Sequence, residues 1–129
     1  MNAVETPVEK WRQRKTRAEA TRELLVQRFP RCFMPKGQPK LPLQKGIRQA
    51  IRAVAPEISA RRLHEALSDY VHGRTYLRAM TAGAARIDLD GWPDGIVSED
   101  EAREARVRLR RADRNAARKG ADHGHRDAA

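Results

Sequence analysis

Tyr70-Val-His-Gly-Arg-Thr-Tyr76-Leu, followed by Gly83-Ala-Ala-Arg86-Ile-Asp-Leu-Asp-Gly91-Trp-Pro-Asp-Gly95, is the part of this chain that constrains its architecture most. Arg86, Asp88 and Asp90 alternate with Ile87 and Leu89, the period of a strand with one wet and one buried face. Asp90-Gly91 and Asp94-Gly95 supply turn chemistry, because Asp and Gly tolerate the backbone angles of tight reversals. Ile96-Val97 then reads as the return strand of a short hairpin. Tyr76 stands just past a helix end between Arg74 and Arg78. Two readings of it stay open: an aromatic face for a base or terminal ribose, or a plug in the core.

Upstream, Ser59 is a good N-cap for a helix whose apolar stripe is Leu63, Ala66, Leu67, Tyr70 and Val71. Its first turn carries Arg61 and Arg62, where the macrodipole disfavours positive charge. With the open amides of a helix N-terminus, two arginines make a seat for phosphate; ordinary surface arginines are the alternative. A shorter helix is expected from Gly46 to Val54, with Ile47, Ile51 and Val54 inward, Lys45, Arg48 and Arg52 outward, and Pro56 as its stop. Four prolines between Phe29 and Leu43 predict an irregular connection in which Phe29 and Phe33 plug the core and Cys32 is a buried thiol.

The outermost segments are simpler. Residues 1–9 read as disordered. A helix is expected over Lys10 to Arg28, with Ala18, Thr21, Leu24, Leu25 and Phe29 near one face and Lys10, Arg12, Arg14, Lys15, Arg17 and Arg22 around the rest. That basic run is either a phosphate-binding arm or a solvated face. Ser98-Glu-Asp-Glu101 is a capping box, opening a helix whose narrow seam is Ala102, Ala105, Leu109 and Ala112. Packing is expected to end near Asp113, so the domain is read as 10–113 and residues 114–129 as a basic tail, flexible from Gly120.

A chain of 129 residues with 40% hydrophobic content allows one modest core. Its formal net charge of +10, from 27 Lys and Arg against 17 Asp and Glu, favours a polyanionic partner, nucleic acid or an anionic membrane surface. No run approaches the roughly 18 apolar residues of a membrane span, and the start lacks the apolar core of a secretion signal, so a cytoplasmic location is expected. A single cysteine excludes an internal disulfide and a multi-cysteine zinc site. Asp88 and Asp90 form a possible acid pair, but the turn accounts for Asp90, and pairing with Arg86 or a backbone amide for Asp88. His123-Gly-His125 in a polar tail is not a metal site, and His64 and His72 have no nucleophile beside them. Neither a metal, a cofactor nor an enzymatic activity is expected.

Phe29-Pro30-x-Cys32-Phe33, Pro42-Leu43-x-x-Gly46-Ile47, Leu63-x-x-Ala66-Leu67-x-x-Tyr70, Tyr76-Leu77 and Arg86-x-Asp88-Leu89-Asp90-Gly91 together resemble the ProQ/FinO family of bacterial RNA chaperones, in order and spacing, from about Leu24 to Leu109. The resemblance implies binding of structured small RNAs, mRNA 3′ ends and intrinsic terminators (hairpins with a single-stranded uridine tail), in post-transcriptional regulation by protecting RNAs or promoting their annealing. It implies a 3′-end pocket at Tyr76 and Arg86, with Lys45 expected to join it from one residue beyond the family's usual lysine position, and a stem-binding helix opened by Ser59, with Arg61, Arg62 and Arg48 as the expected phosphate contacts. Arg52, Arg74, Arg78 and His64 are further expected contacts. Gln44, Ala60, His64, Ser68 and Thr75 depart from the family by standing where members often carry basic residues. No long second domain is implied, so the chain reads as a minimal member.

The expected architecture is α+β, one mostly helical domain with a small hairpin or mixed sheet, binding RNA as a monomer. Its rivals are a nonspecific DNA-binding protein, with helices after Gly46 and Ser59 as a helix-turn-helix, and a ribosome-associated protein held by charge. Against the first, Pro56 makes a poor tight turn and the second helix lacks Asn or Gln for adenine edges.

Overall fold

The computed structural model describes residues 4–127. In chain order the elements are α1 (Pro7–Arg28), α2 (Ile47–Val54), α3 (Ala60–Val71), α4 (Arg74–Ala79), β1 (Ala85–Ile87), β2 (Pro93–Ile96) and α5 (Glu99–Asp127). The architecture is the expected one, mostly helical with a two-stranded antiparallel sheet.

Helix α3 sits at the centre. The Ser59 hydroxyl accepts from the Arg62 amide at 3.2 Å, and the stripe behind it buries Leu63, Ala66 and Tyr70. Tyr70 meets Phe33 edge to face, ring centroids 5.1 Å apart, and its hydroxyl accepts from the Met34 amide at 3.0 Å. The proline-rich connection is thereby pinned to the core, with Cys32 sealed beside Leu25, Leu43 and Ile51. Burial, with the charge of Asp88 as a lesser cause, pushes the Cys32 thiol up to about 12. Lys40, which nothing in the sequence marks as internal, is also buried; its ammonium donates to the carbonyls of Pro35 and Gln38 at 2.9 and 2.6 Å. Burial lowers its pKa, and the Arg22 charge adds to that.

Helix α1 begins at Pro7, three residues before the expected start, because Thr6 and Glu9 form a reciprocal capping box. Its buried side chains are Ala18, Thr21 and Leu25, whereas Leu24 is 44% exposed. So thin a seam is supplemented by charge: Lys15 and Arg22 both bond Asp69, and Arg17 bonds Glu65 at 2.9 Å. Asp69 is held below the usual carboxylate range, since the bonds from Lys15 and Arg22 outweigh the opposing effect of burial.

The segment before α2 adds a parallel bridge to β1 at Leu43 and Ile87, with the Gln44 amide donating to the Ile87 carbonyl at 2.8 Å. In the hairpin, Asp90-Gly91 is the turn, but Asp94-Gly95 is not a second one; it lies inside β2. Ala85 pairs with Ile96 and Ile87 with Pro93, so β2 holds one extra residue, accommodated by Gly95 at φ 87°. Gly91 is required twice over, by its φ of +85° and because a Cβ there would come within 3.0 Å of the Arg31 Cβ. Asp88 accepts from the amides of Asp90 and Trp92, both at 2.9 Å.

Helix α5 starts at its capping box, Ser98 and Glu101, and buries Ala102 and Ala105. The helix itself runs on past Asp113 and Gly120 to Asp127. Ala, Arg and Lys between Ala112 and Lys119 are strong helix formers, and one glycine, costing about 1 kcal/mol, does not stop a helix propagating from a long packed base. His123 and His125 lie where no side chain is described.

Candidate nucleic-acid interface

The hydrogen bonds of Tyr76 and Arg86 converge on one residue, Leu43. The Tyr76 hydroxyl accepts from the Leu43 amide at 3.0 Å, and Arg86 Nη1 donates to the Leu43 carbonyl at 2.8 Å. Leu43 is thus gripped on both its polar groups where the chain passes from the proline-rich connection into α2. Arg86 Nη2 bonds Glu101 Oε2 at 2.8 Å, tying β1 to α5. Lys45 reaches the same carboxylate oxygen at 3.3 Å.

These positions decide Tyr76 between its two readings in favour of the core, and correct the expectation of a wet strand face at Arg86. Tyr76 is 5% exposed and Arg86 7%. The short helix α4, with Gly73 as its N-cap and no side-chain cap, turns Tyr76 and Leu77 inward; the Tyr76 ring lies 5.7 Å from that of Tyr70. Burial raises the Tyr76 phenol, against the bond from the Leu43 amide and the Arg86 charge. Strand β1 buries both Arg86 and Ile87, because the Leu43 segment and α5 cover the face that alternation assigned to solvent. The partner of Arg86 is Glu101 rather than Asp88. That carboxylate is held down at about 2, first by the Ser98 amide and hydroxyl, then by Lys45 and Arg86.

Tyr76 and Arg86 nevertheless line an open cavity of about 380 Å³ between α2, α3 and α4, with Leu43, Ile47 and Leu67 as its apolar wall and Gln44, Arg48, His64, Ser68 and His72 as its polar rim. No carboxylate lines it. A larger cleft of about 570 Å³, between α1 and α3, shares His64, Ser68 and His72 and adds Trp11 and Arg14, but Glu65 and Asp69 also face it. Those two carboxylates are already engaged by Lys15, Arg17 and Arg22, so the second cleft is lined by closed ion pairs and the first is not.

Of the other sequence-derived candidates, Arg48 and His64 fall in this cavity. Ser59, Arg61 and Arg62 stand exposed at the N-terminal end of α3, Arg52 is exposed on α2, and Lys45 lies beside the cavity through Glu101. Arg74 and Arg78 point away toward α5, where both meet Asp113, Arg74 at 2.7 Å. The basic run of α1 matches neither reading of it in full: Lys15, Arg17 and Arg22 are tied to α3, while Lys10, Arg12 and Arg14 remain exposed. His72, considered from the sequence only as a base without a nucleophile, joins the cavity, its ring 3.3 Å from the Ser68 hydroxyl; its place at the end of α3, one turn after Ser68, was the available signal. Among the described residues no group of three or more His, Cys, Asp or Glu is arranged to hold a metal, and no helix is long and apolar enough to cross a membrane.

Comparison with known proteins gives the same outline. Residues 15–122 match the ProQ/FINO family. The RNA chaperone ProQ of Aeromonas salmonicida is 37% identical over 89 residues, covering 67% of this chain and 42% of that protein; that of Aliivibrio fischeri is 35% identical over 88 residues, covering 66% and 42%. The chain thus spans less than half the length of these curated relatives. Among solved structures, a ProQ homolog from Legionella pneumophila superposes with a TM-score of 0.64 at 25% identity, covering 86% of this chain and 87% of that one. A FinO-like RNA chaperone from Neisseria meningitidis superposes with a TM-score of 0.57 at 26% identity, covering 70% and 92%. By its sequence across most of its length, and by a fold that agrees, this chain belongs to the ProQ/FinO family.

Proposed function

We propose that this protein is an RNA-binding chaperone that acts as a monomer on structured RNAs, small RNAs and mRNA 3′ ends among them, holding the 3′ terminus in the cavity at Tyr76 and Arg86. The observation that carries the reading is a carboxylate-free cavity on a chain of net charge +10. Family membership supports it, as does the naming of the relatives as RNA chaperones. In this reading Arg48 and His64 on the rim meet the phosphodiesters that link the last nucleotides, while Leu43, Ile47 and Leu67 receive the terminal sugar and base. Tyr76 and Arg86 act chiefly through Leu43, setting the wall the terminus rests on. Lys45, 74% exposed in its side chain, can leave Glu101 for a phosphate at little cost, since an exposed ion pair is worth about 0 to 1 kcal/mol. Ser59, Arg61 and Arg62 take the backbone of the stem through helix amides and guanidinium groups.

The test uses one terminator hairpin in three forms: with a free 3′ hydroxyl, with a 3′ phosphate, and without its uridine tail. A pocket fitted to the terminus binds the first and discriminates against the other two. Equal binding of all three, equally competed by duplex DNA, overturns the pocket and leaves the charge-only reading.

A further inference from the structure

We propose that the outer part of α5 is a second phosphate track, gripping the backbone of the RNA strand on the 5′ side of a hairpin whose 3′ terminus the candidate pocket holds. The proposal rests on the RNA-binding reading above and extends it to residues that reading does not use.

At 3.6 residues per turn, Glu101, Glu104, Arg108, Arg111, Asn115 and Lys119 fall along one stripe of α5, beside the seam of Ala102, Ala105 and Ala112. The charge along that stripe changes sign. Glu101 is engaged by Arg86 and Lys45, and Glu104 by Arg108 at 2.9 Å. Beyond Arg108 the stripe carries no further acid before Lys119. The nearest carboxylate, Asp113, is on another face and occupied by Arg74 at 2.7 Å. Arg111, Arg118 and Lys119 are exposed and enter no ion pair among the described residues.

The stripe is continuous with the candidate pocket. A cavity of about 390 Å³ is lined by His72, Leu77, Arg108, Arg111 and Asn115, and His72 also stands on the rim of the Tyr76 and Arg86 cavity. From Arg108 to Lys119 the helix advances about 16 Å, enough for several phosphates. Arginine, lysine and asparagine at one-turn spacing, with no aromatic residue between them to stack on bases, suit contacts to a sugar-phosphate backbone. A second copy of this chain is disfavoured as the occupant by its own net charge of +10. Like charge would also have to be desolvated there.

The test compares two RNAs, a minimal hairpin with its uridine tail and the same hairpin with a short unstructured 5′ extension, against wild type and the triple variant Arg111→Gln, Arg118→Gln, Lys119→Gln. All three side chains are exposed and glutamine is a good helix former, so the variant melts as wild type does. Wild type binds the extended RNA about tenfold or more tighter than the minimal one. The variant loses that advantage, and its log-log salt slope on the extended RNA falls by about 2, three contacts at roughly 0.7 each. Its binding of the minimal hairpin is unchanged. A variant that keeps the full advantage and slope overturns the track, as does one that loses affinity equally for both RNAs. A wild type that binds neither RNA overturns the functional reading itself, and the track with it.

Discussion

Tyr76→Phe removes one oxygen and keeps the ring. That oxygen accepts from the Leu43 amide at 3.0 Å, and both residues are buried, Leu43 at 3% and Tyr76 at 5% exposure. A buried donor left without its acceptor costs about 1–3 kcal/mol. For a domain between the 100- and 150-residue classes each kcal/mol moves Tm by about 3–5 °C, so a fall of about 3 to 15 °C is expected. Arg86 still holds the Leu43 carbonyl, so the fold survives, but the cavity wall turns on one hinge instead of two. Binding of the hairpin with a free 3′ hydroxyl weakens at 25 °C, where the variant is folded, while binding of the tailless hairpin does not. Calorimetric melting and titration of the two RNAs measure both effects. Tyr76→Ala is the poorer probe, because truncating a buried aromatic costs about 3–5 kcal/mol and confounds binding with unfolding. A Tyr76→Phe protein that melts and binds as wild type does would show that the grip on Leu43 neither stabilises the domain nor shapes a site.

Other expectations follow from particular groups. Asp69→Ala strips the shared partner of Lys15 and Arg22; losing bonds to a charged group should cost about 1.5–3 kcal/mol and speed hydrogen exchange in the first half of α1 ahead of α3. The Glu101 carboxyl is depressed from 4.5 to about 2, so its contribution to stability is complete above its unfolded value and is lost as pH falls toward about 2. Glu101→Gln should flatten that limb of the Tm-against-pH curve, and an unchanged limb would refute the assignment. Cys32, with its thiol near 12, should resist alkylation at pH 8 in the native protein and react once the chain is denatured, and rapid native labelling would contradict its burial. Gly91→Ala should destabilise the domain by the cost of a left-handed residue, about 1–2 kcal/mol, plus the clash with Arg31, read as a lower Tm; an unchanged Tm would mean that the turn relaxes freely.

Local chemistry was legible from the residues alone. The caps at Ser59 and Ser98, the apolar stripe of α3, the turn at Asp90-Gly91 and the buried setting of Cys32 each depend on neighbours within a few positions, and each is found where the pattern put it. Thr6 and Glu9 carried the same kind of signal and were passed over. Helix α4 carried almost none, since six residues after a glycine cap are too few to show a period. The orientation of Tyr76 and Arg86 was decided by tertiary structure. Alternation tells which residues share a face of a strand, but not whether a distant segment covers that face. Here Leu43 and α5 cover it from 43 positions before Arg86 and 15 after. The same holds for Lys15, Arg17 and Arg22, which read as phosphate-binding or solvated charge until Glu65 and Asp69, about 50 positions on, come alongside. Residue type states what a side chain can bond; which bond it makes is settled by the partner that packing brings within reach, because burying a polar group without one costs more than any local preference supplies.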